Sequence, residues 1–140
     1  MPPFPSRAWA DQAVALFNSD PDSVAAGRGW TGDFGVVIEA EQGRLEAAFV
    51  AYFLPRDGRI AELRILADPD DLDELEPVYR VRAPYSVWKG LLQGTVDPVQ
   101  AIVQRKLRVD GDVQPILERM RYKDVAARVL ARLDTQFPDG

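Results

Sequence analysis

The chain has 140 residues, of which 46% are hydrophobic and 28% charged, and its net charge is −5. A chain of this length is one domain by default, residues 1–140, and buries roughly two-thirds of its unfolded surface. The acidic balance argues against nucleic acid, whose phosphates need a basic face, and the absence of Cys and His removes a disulfide framework, the commonest general base and the commonest zinc ligand. Apolar runs fall far below the length of a membrane span, so no stable membrane insertion is expected. The opening residues have neither a basic start nor a long apolar run, so no signal peptide is expected and the cytoplasm is the expected compartment.

In chain order, Ser6 is a candidate cap for a helix whose apolar face is Trp9, Ala13, Leu16 and Phe17. Asp20 and Pro21 open a shorter helix through Val24 that stops at Gly27. Residues 34–40, 45–54 and 59–67 read as a three-stranded meander, its second turn fixed by Asp57-Gly58. The second strand is apolar on both faces, with Val50, Tyr52 and Leu54 opposed to Phe49 and Phe53, so it is covered twice or lines a cavity. The acidic residues 68–77 read as a loop with one helical turn, and 78–83 as a fourth strand.

Residues 88–112 organise the rest: helix, glycine stop, helix, short strand, tight turn. Trp88, Leu91 and Leu92 form an apolar stripe, Gly94 suits the positive φ past a helix end, Asp97 caps the next helix and Pro98 begins it. Val99, Ile102 and Val103 are the expected buried face of that second helix, and Leu107 and Val109 alternate with Arg108 as a fifth strand. Val113, Ile116, Leu117 and Met120 make one more helical set, with Pro115 in its first turn. Val125, Val129, Leu130, Leu133 and Phe137 make the last amphipathic stripe, a surface element able to act as a cover.

Catalytic chemistry finds no support in these residues. The acidic run Asp68, Asp70, Asp71, Asp73, Glu74 and Glu76 lacks the glycine and spacing of a calcium loop. Glu39, Glu46 and Glu62 alternate with apolar residues and face water, and Ser6, Ser19, Ser23 and Ser86 sit at caps or turns with no His to activate them. Arg119, Arg121, Lys123, Arg128 and Arg132 form a basic strip that is either a solvated helix face or a holder of lipid headgroups. Trp9, Phe17, Trp30, Phe34, Phe49, Phe53, Trp88 and Phe137 are either filled core or the wall of a cavity, which read alike in a sequence.

The strings W-x5-G-x2-D-P-x2-A and K-L-x-V-x-G-D, here Trp88, Gly94, Asp97, Pro98, Ala101, Lys106, Leu107, Val109, Gly111 and Asp112, resemble the end of the sterol carrier protein type two domain. The preceding meander extends the resemblance over most of the chain. Arg105 departs from it, because the family usually has Gly before the Lys-Leu pair.

The resemblance implies an α+β fold in which a mainly antiparallel five-stranded sheet, covered by about five helices, encloses an apolar tunnel. It implies a hydrophobic small-molecule partner (a fatty acid, acyl-CoA or sterol-like lipid) and carries over no catalytic residue, metal or cofactor. The expected ligand-binding set is Phe17, Val24, Arg28, Trp30, Phe34, Phe49, Trp88, Leu91, Leu92, Ile102, Val103, Gln104, Met120, Val129 and Leu133. Arg28 or Gln104 would orient a headgroup at the mouth. The rival reading is an accessory or dimerisation module with the same fold, a filled core and no ligand; a homodimer is compatible with either.

Overall fold

The computed structural model describes residues 2–139, apart from the side chains of Met120 and Arg121. Helix α1 (Arg7–Ser19) starts where the Ser6 hydroxyl accepts from the Trp9 amide at 3.1 Å. Asp20 then both ends α1 and caps α2 (Pro21–Gly27), its carboxylate accepting from the Ser23 amide at 3.0 Å.

Strands β1 (Phe34–Glu39), β2 (Phe49–Arg56) and β3 (Arg59–Leu66) form the expected meander. The second strand begins at Phe49 rather than 45, since Leu45 makes only an isolated bridge to Glu41. Asp57 and Gly58 both have positive φ (54° and 81°), which joins β2 to β3 in a tight turn. That turn docks on α2: a Cβ on Gly58 would stand 2.0 Å from the Val24 carbonyl oxygen. Along the outer edge, the Asn18 side chain donates to the Ile60 carbonyl at 3.0 Å and accepts from the Ile60 amide at 2.7 Å, fastening α1 to β3.

The sheet is mainly antiparallel, as expected, but mixed: three of its four pairings are antiparallel and one is parallel. Its order is β3-β2-β1-β4-β5, and β4 (Tyr79–Pro84) lies parallel to β1, with Phe34 opposite Tyr79 and Ile38 opposite Ala83. The acidic residues after β3 are the cause. They form a 3₁₀ turn (Pro69–Asp71) and helix α3 (Leu72–Leu75). This connection carries the chain from one edge of the sheet past β2 and β1 to the far side of β1, as a parallel neighbour requires. Leu72, 1% exposed, is buried against Val37, Val50 and Tyr52 on that face, and Gly35 leaves room for it: a Cβ there would come within 2.8 Å of Leu72.

The opposite face is covered by α4 (Tyr85–Gln93), α5 (Pro98–Val103) and the terminal helices. The Trp88 indole N–H bridges the parallel pair, donating to the carbonyls of Val37 (3.2 Å) and Ala83 (3.1 Å). Gly94 (φ 77°) ends α4, and Asp97 caps α5 by accepting from the Gln100 amide at 3.0 Å. Strand β5 (Arg108–Asp110) completes the sheet beside β4.

The described residues form seven α-helices rather than about five. The apolar pattern after Asp112 divides into α6 (Gln114–Glu118) and α7 (Met120–Ala131), broken at Arg119 (φ −98°, ψ 43°), and α7 ends well short of Phe137. Phe137 instead joins Phe4, Trp9 and Tyr85 in a cluster where the two ends of the chain meet, with the Phe4 amide donating to the Gln136 carbonyl at 2.8 Å.

Candidate functional site

Alternation along β1 and β4 puts Phe34, Val36 and Ile38 on the helix-covered face with Tyr79, Val81 and Ala83. Antiparallel pairing of β1 with β2 adds Phe53 opposite Phe34. Trp30, just before β1, folds back over the same place. The four rings make one floor: Phe34 stacks on Phe53 at 4.9 Å, on Tyr79 at 5.2 Å and on Trp30 at 5.7 Å between centroids. Trp30 is pinned by its indole N–H, which donates to the Gly32 carbonyl at 2.7 Å. Tyr79 is buried, but Trp30, Phe34 and Phe53 are each only half-buried although a layer of helices stands over this face.

Beside the floor, an open cleft of about 650 Å³ runs between α2 and the α6–α7 break. Asp22, Ala25 and Ala26 line one wall, and Glu118, Arg119, Tyr122 and Val125 the other. Tyr122 stacks on Phe17 of α1 at 6.4 Å, and its hydroxyl lies 3.3 Å from that of Ser23, within hydrogen-bond reach. One end of this seam is clamped by charge. The Arg128 guanidinium donates to both Asp20 oxygens at 2.9 Å, and Arg132 stands 3.5 Å from the same carboxylate. The Arg128 bond, followed by the Ser23 amide, holds the Asp20 carboxyl down at about 2.

At the other end of the covered face the chain is closed. Tyr85 is fully buried and its hydroxyl donates to Asp139 at 2.9 Å; Lys89 and Arg44 pair with that carboxylate at 2.8 and 3.2 Å. Burial and the Asp139 carboxylate push the Tyr85 phenol up, and the Lys89 ammonium holds the Asp139 carboxyl down.

The expected ligand-binding residues divide accordingly. Trp30 and Phe34 are in the aromatic floor, and Phe17 borders the cleft through Tyr122. Phe49, Trp88 and Leu92 pack around Ile38 and Tyr85, while Leu91, Ile102 and Trp88 pack around Ala83, Ala101 and Leu107. Val24, Val129 and Leu133 are buried, the first two on helices that pack against each other. The Met120 side chain lies outside the described residues.

Val103 does not belong to a buried face, for it is 68% exposed. The short helix α5 turns Ala101 inward instead, at 1% exposed, because a methyl side chain lets it sit close against Ala83 and Leu107. Arg28 and Gln104 are exposed, Gln104 beside a smaller hollow of about 230 Å³. Tyr79 was not among the expected binding residues, and Phe53 was named only among the aromatic residues that either fill the core or wall a cavity, yet both rings lie in the floor. The alternation of Tyr79 with Val81 and Ala83 was visible, but only the parallel register brings Tyr79 to Phe34.

The basic strip is mostly internal wiring. Lys123 pairs with Asp97 at 3.1 Å, and Arg128 and Arg132 with Asp20. Among the described residues no group of acidic side chains has the arrangement of a metal site, and no helix is long and apolar enough to cross a membrane.

The sequence model of the SCP-2 sterol transfer family matches residues 16–122. The chain belongs to that family. Its fold is that of a solved sterol carrier protein 2, with TM-score 0.74 at 14% identity over 91% of this chain and 97% of that one. A conserved hypothetical protein of Thermus thermophilus gives TM-score 0.68 at 15% identity, covering 89% and 87%. A variant of a sec-alkyl sulfatase gives 0.57 at 14% identity, covering 84% of this chain but 16% of the enzyme, so there the fold is one part of a larger protein. At these identities the likenesses establish the fold alone. No curated protein matches. Lipid or sterol binding or transfer is what membership of the SCP-2 family implies.

Proposed function

We propose that the chain, acting as a single domain in the cytoplasm, binds and carries a hydrophobic small molecule without catalysis and without a cofactor. The ligand lies between the aromatic floor and the helices, and the cleft between α2 and α7 is its way in. The observation that carries this reading is the half-burial of Trp30, Phe34 and Phe53 beneath a layer of helices, on a sheet whose opposite face is closely packed. A large, partly accessible aromatic surface inside a fold has the character of an apolar ligand site.

The binding set is then Trp30, Phe34, Phe53 and Tyr79 as floor, with Phe17 and Tyr122 at the mouth. Phe49, Trp88, Leu91, Leu92 and Ile102 continue the wall toward the closed end. The driving force is burial of apolar area, about 25 cal/mol per Å², against about 4–15 kcal/mol for association. Only a ligand with roughly several hundred Å² of apolar surface overcomes that difference, which favours a fatty acid, acyl chain or sterol-like body over a small polar metabolite.

Native mass spectrometry of the purified protein tests the reading. Co-purified lipid, or saturable uptake of a fluorescent fatty acid, supports it. A ligand-free mass with no uptake favours the filled-core accessory module. Reproducible esterase, thioesterase or glycosidase turnover lost in a single carboxylate variant would overturn the non-catalytic part.

A further inference from the structure

Arg119 differs from the other basic residues of its strip. Lys123, Arg128 and Arg132 each meet a carboxylate, but among the described residues none pairs with Arg119. Its Nη1 donates to two neutral acceptors, the carbonyls of Ala26 at 3.1 Å and Arg28 at 3.0 Å, at the end of α2. The same guanidinium stands over the Trp30 ring, 5.6 Å from its centroid, and lines the cleft. One uncompensated cation therefore stands between the cleft and the aromatic floor.

We propose that Arg119 is a headgroup-operated gate, and that the ligand is an amphiphile with a carboxylate head. The inference rests on the lipid-binding reading above and adds the chemical class and the way in. A carboxylate entering between Tyr122 and Ala25 meets the guanidinium first. An Arg–carboxylate pair is bidentate and carries charge on both partners, so it is stronger than the guanidinium's bonds to neutral carbonyls. The head thus draws Arg119 off the Ala26 and Arg28 carbonyls and off Trp30. The uncovered indole face then takes the apolar body, which continues over Phe34 and Phe53.

A neutral amphiphile of equal length offers nothing to exchange for those bonds and finds the indole covered. Two acidic groups share the cleft. Asp22 is answered by Arg128 at 3.3 Å, whereas Glu118 meets only the Gln114 amide at 3.5 Å and opposes an incoming anion.

The test compares oleate with oleyl alcohol by equilibrium dialysis against the intact protein, with melting curves on every variant. The wild type should prefer oleate by about tenfold or more, the scale of one charge-assisted contact. Arg119→Met keeps an apolar stem without the charge and should bring the preference to about one. Glu118→Gln should raise it severalfold by removing the opposing charge. If Arg119→Met does not fold, Glu118→Gln decides alone. Equal binding of both lipids by the wild type, an undiminished preference in Arg119→Met, or no rise in Glu118→Gln overturns the gate while lipid binding stands. Failure of the wild type to hold either lipid overturns the underlying reading and the gate with it.

Discussion

On one face of the sheet Val37, Val50 and Tyr52 pack beneath Leu72, and none of the four is more than 8% exposed. On the other, Phe34 and Phe53 alternate with those residues along the same strands and stay half-buried. The packed face is closed by a four-residue helix that lays Leu72, with Leu75 beside it, on the sheet. The other face has a layer of helices over it, and the aromatic rings at one end of it remain partly accessible. Where Ile38, Ala83, Tyr85 and Ala101 lie, none more than 4% exposed, the helix-covered face is packed as closely as the other. Only its Trp30–Phe34–Phe53 end is left half-buried, so the proposed binding end can change shape without loosening the Leu72 cluster. Aliphatic side chains interdigitate into a dense layer; stacked aromatic rings leave a smooth wall along which an apolar body can slide.

The sharpest way to break that division is at Leu72. Leu72→Ala removes the one buried side chain that holds the crossover to the sheet and should cost about 2–5 kcal/mol. The melting temperature should fall, while the fraction still folded takes up ligand as before. Impaired uptake at unchanged stability would show that the two faces are not separable. Phe34→Ala tests the other side. Its ring is half-buried, so the loss should be smaller, about 1–3 kcal/mol, but the centre of the aromatic floor disappears and uptake should change more than stability. If Phe34→Ala proves as costly as Leu72→Ala and leaves uptake alone, the floor is ordinary core.

Alkaline pH probes the packed face more gently. The Tyr52 hydroxyl donates to the Asp33 carboxylate at 2.6 Å, and this bond, then burial, pushes the phenol from 10.0 up to about 12. The folded pKa is raised, so the stabilisation is complete below pH 10.0 and is lost as the pH climbs through about 12. Thermal melts across that interval should show a decline that is shallower in Tyr52→Phe. The covered-side Tyr85, raised by its own burial and by Asp139, leaves part of the decline in place. An unchanged slope in Tyr52→Phe would remove Tyr52 from the account.

The local features were legible because their causes are local. Ser6, Asp20 and Asp97 cap where a short oxygen-bearing side chain precedes a helical pattern, and Asp57-Gly58 turns because both residues tolerate positive φ. The parallel pairing of β1 with β4 was not legible. It depends on Leu72, with Leu75 packed beside it, two apolar residues among acidic neighbours that locally look like a solvated loop. The break at Arg119 was hidden for a similar reason, since neither Gly nor Pro marks it and the apolar spacing runs on across it. At α5 the helix was correctly expected and Ile102 does pack inward, but Val103 was counted in the buried face and the small Ala101 was not, because hydrophobicity ranks residues and close approach selects for size. The aromatic residues were visible as a group, and which of them meet is decided by strand register.

The smallest expected effect lies in the turn between α5 and β5. Arg105 has φ 59° there, a left-handed conformation that costs a residue with a Cβ roughly 1–2 kcal/mol. Its amide closes the turn by donating to the Ile102 carbonyl at 3.1 Å, and the residue itself is exposed. The turn therefore holds Arg105 in place through its backbone, and the side chain adds strain. Arg105→Gly removes the Cβ conflict but makes the unfolded chain freer by roughly 0.5–1 kcal/mol, so the net gain should be below about 1 kcal/mol and the melting temperature should rise by a few degrees. Arg105→Ala keeps the Cβ and should gain nothing. Ligand uptake should be the same in both variants, because the turn lies outside the aromatic floor and the cleft. That outcome would show stability adjusted on the helix-covered side without any change in binding, which confines the binding function to the floor itself. Equal stabilisation by Gly and Ala would place the strain in the arginine side chain rather than its backbone and would contradict the left-handed turn.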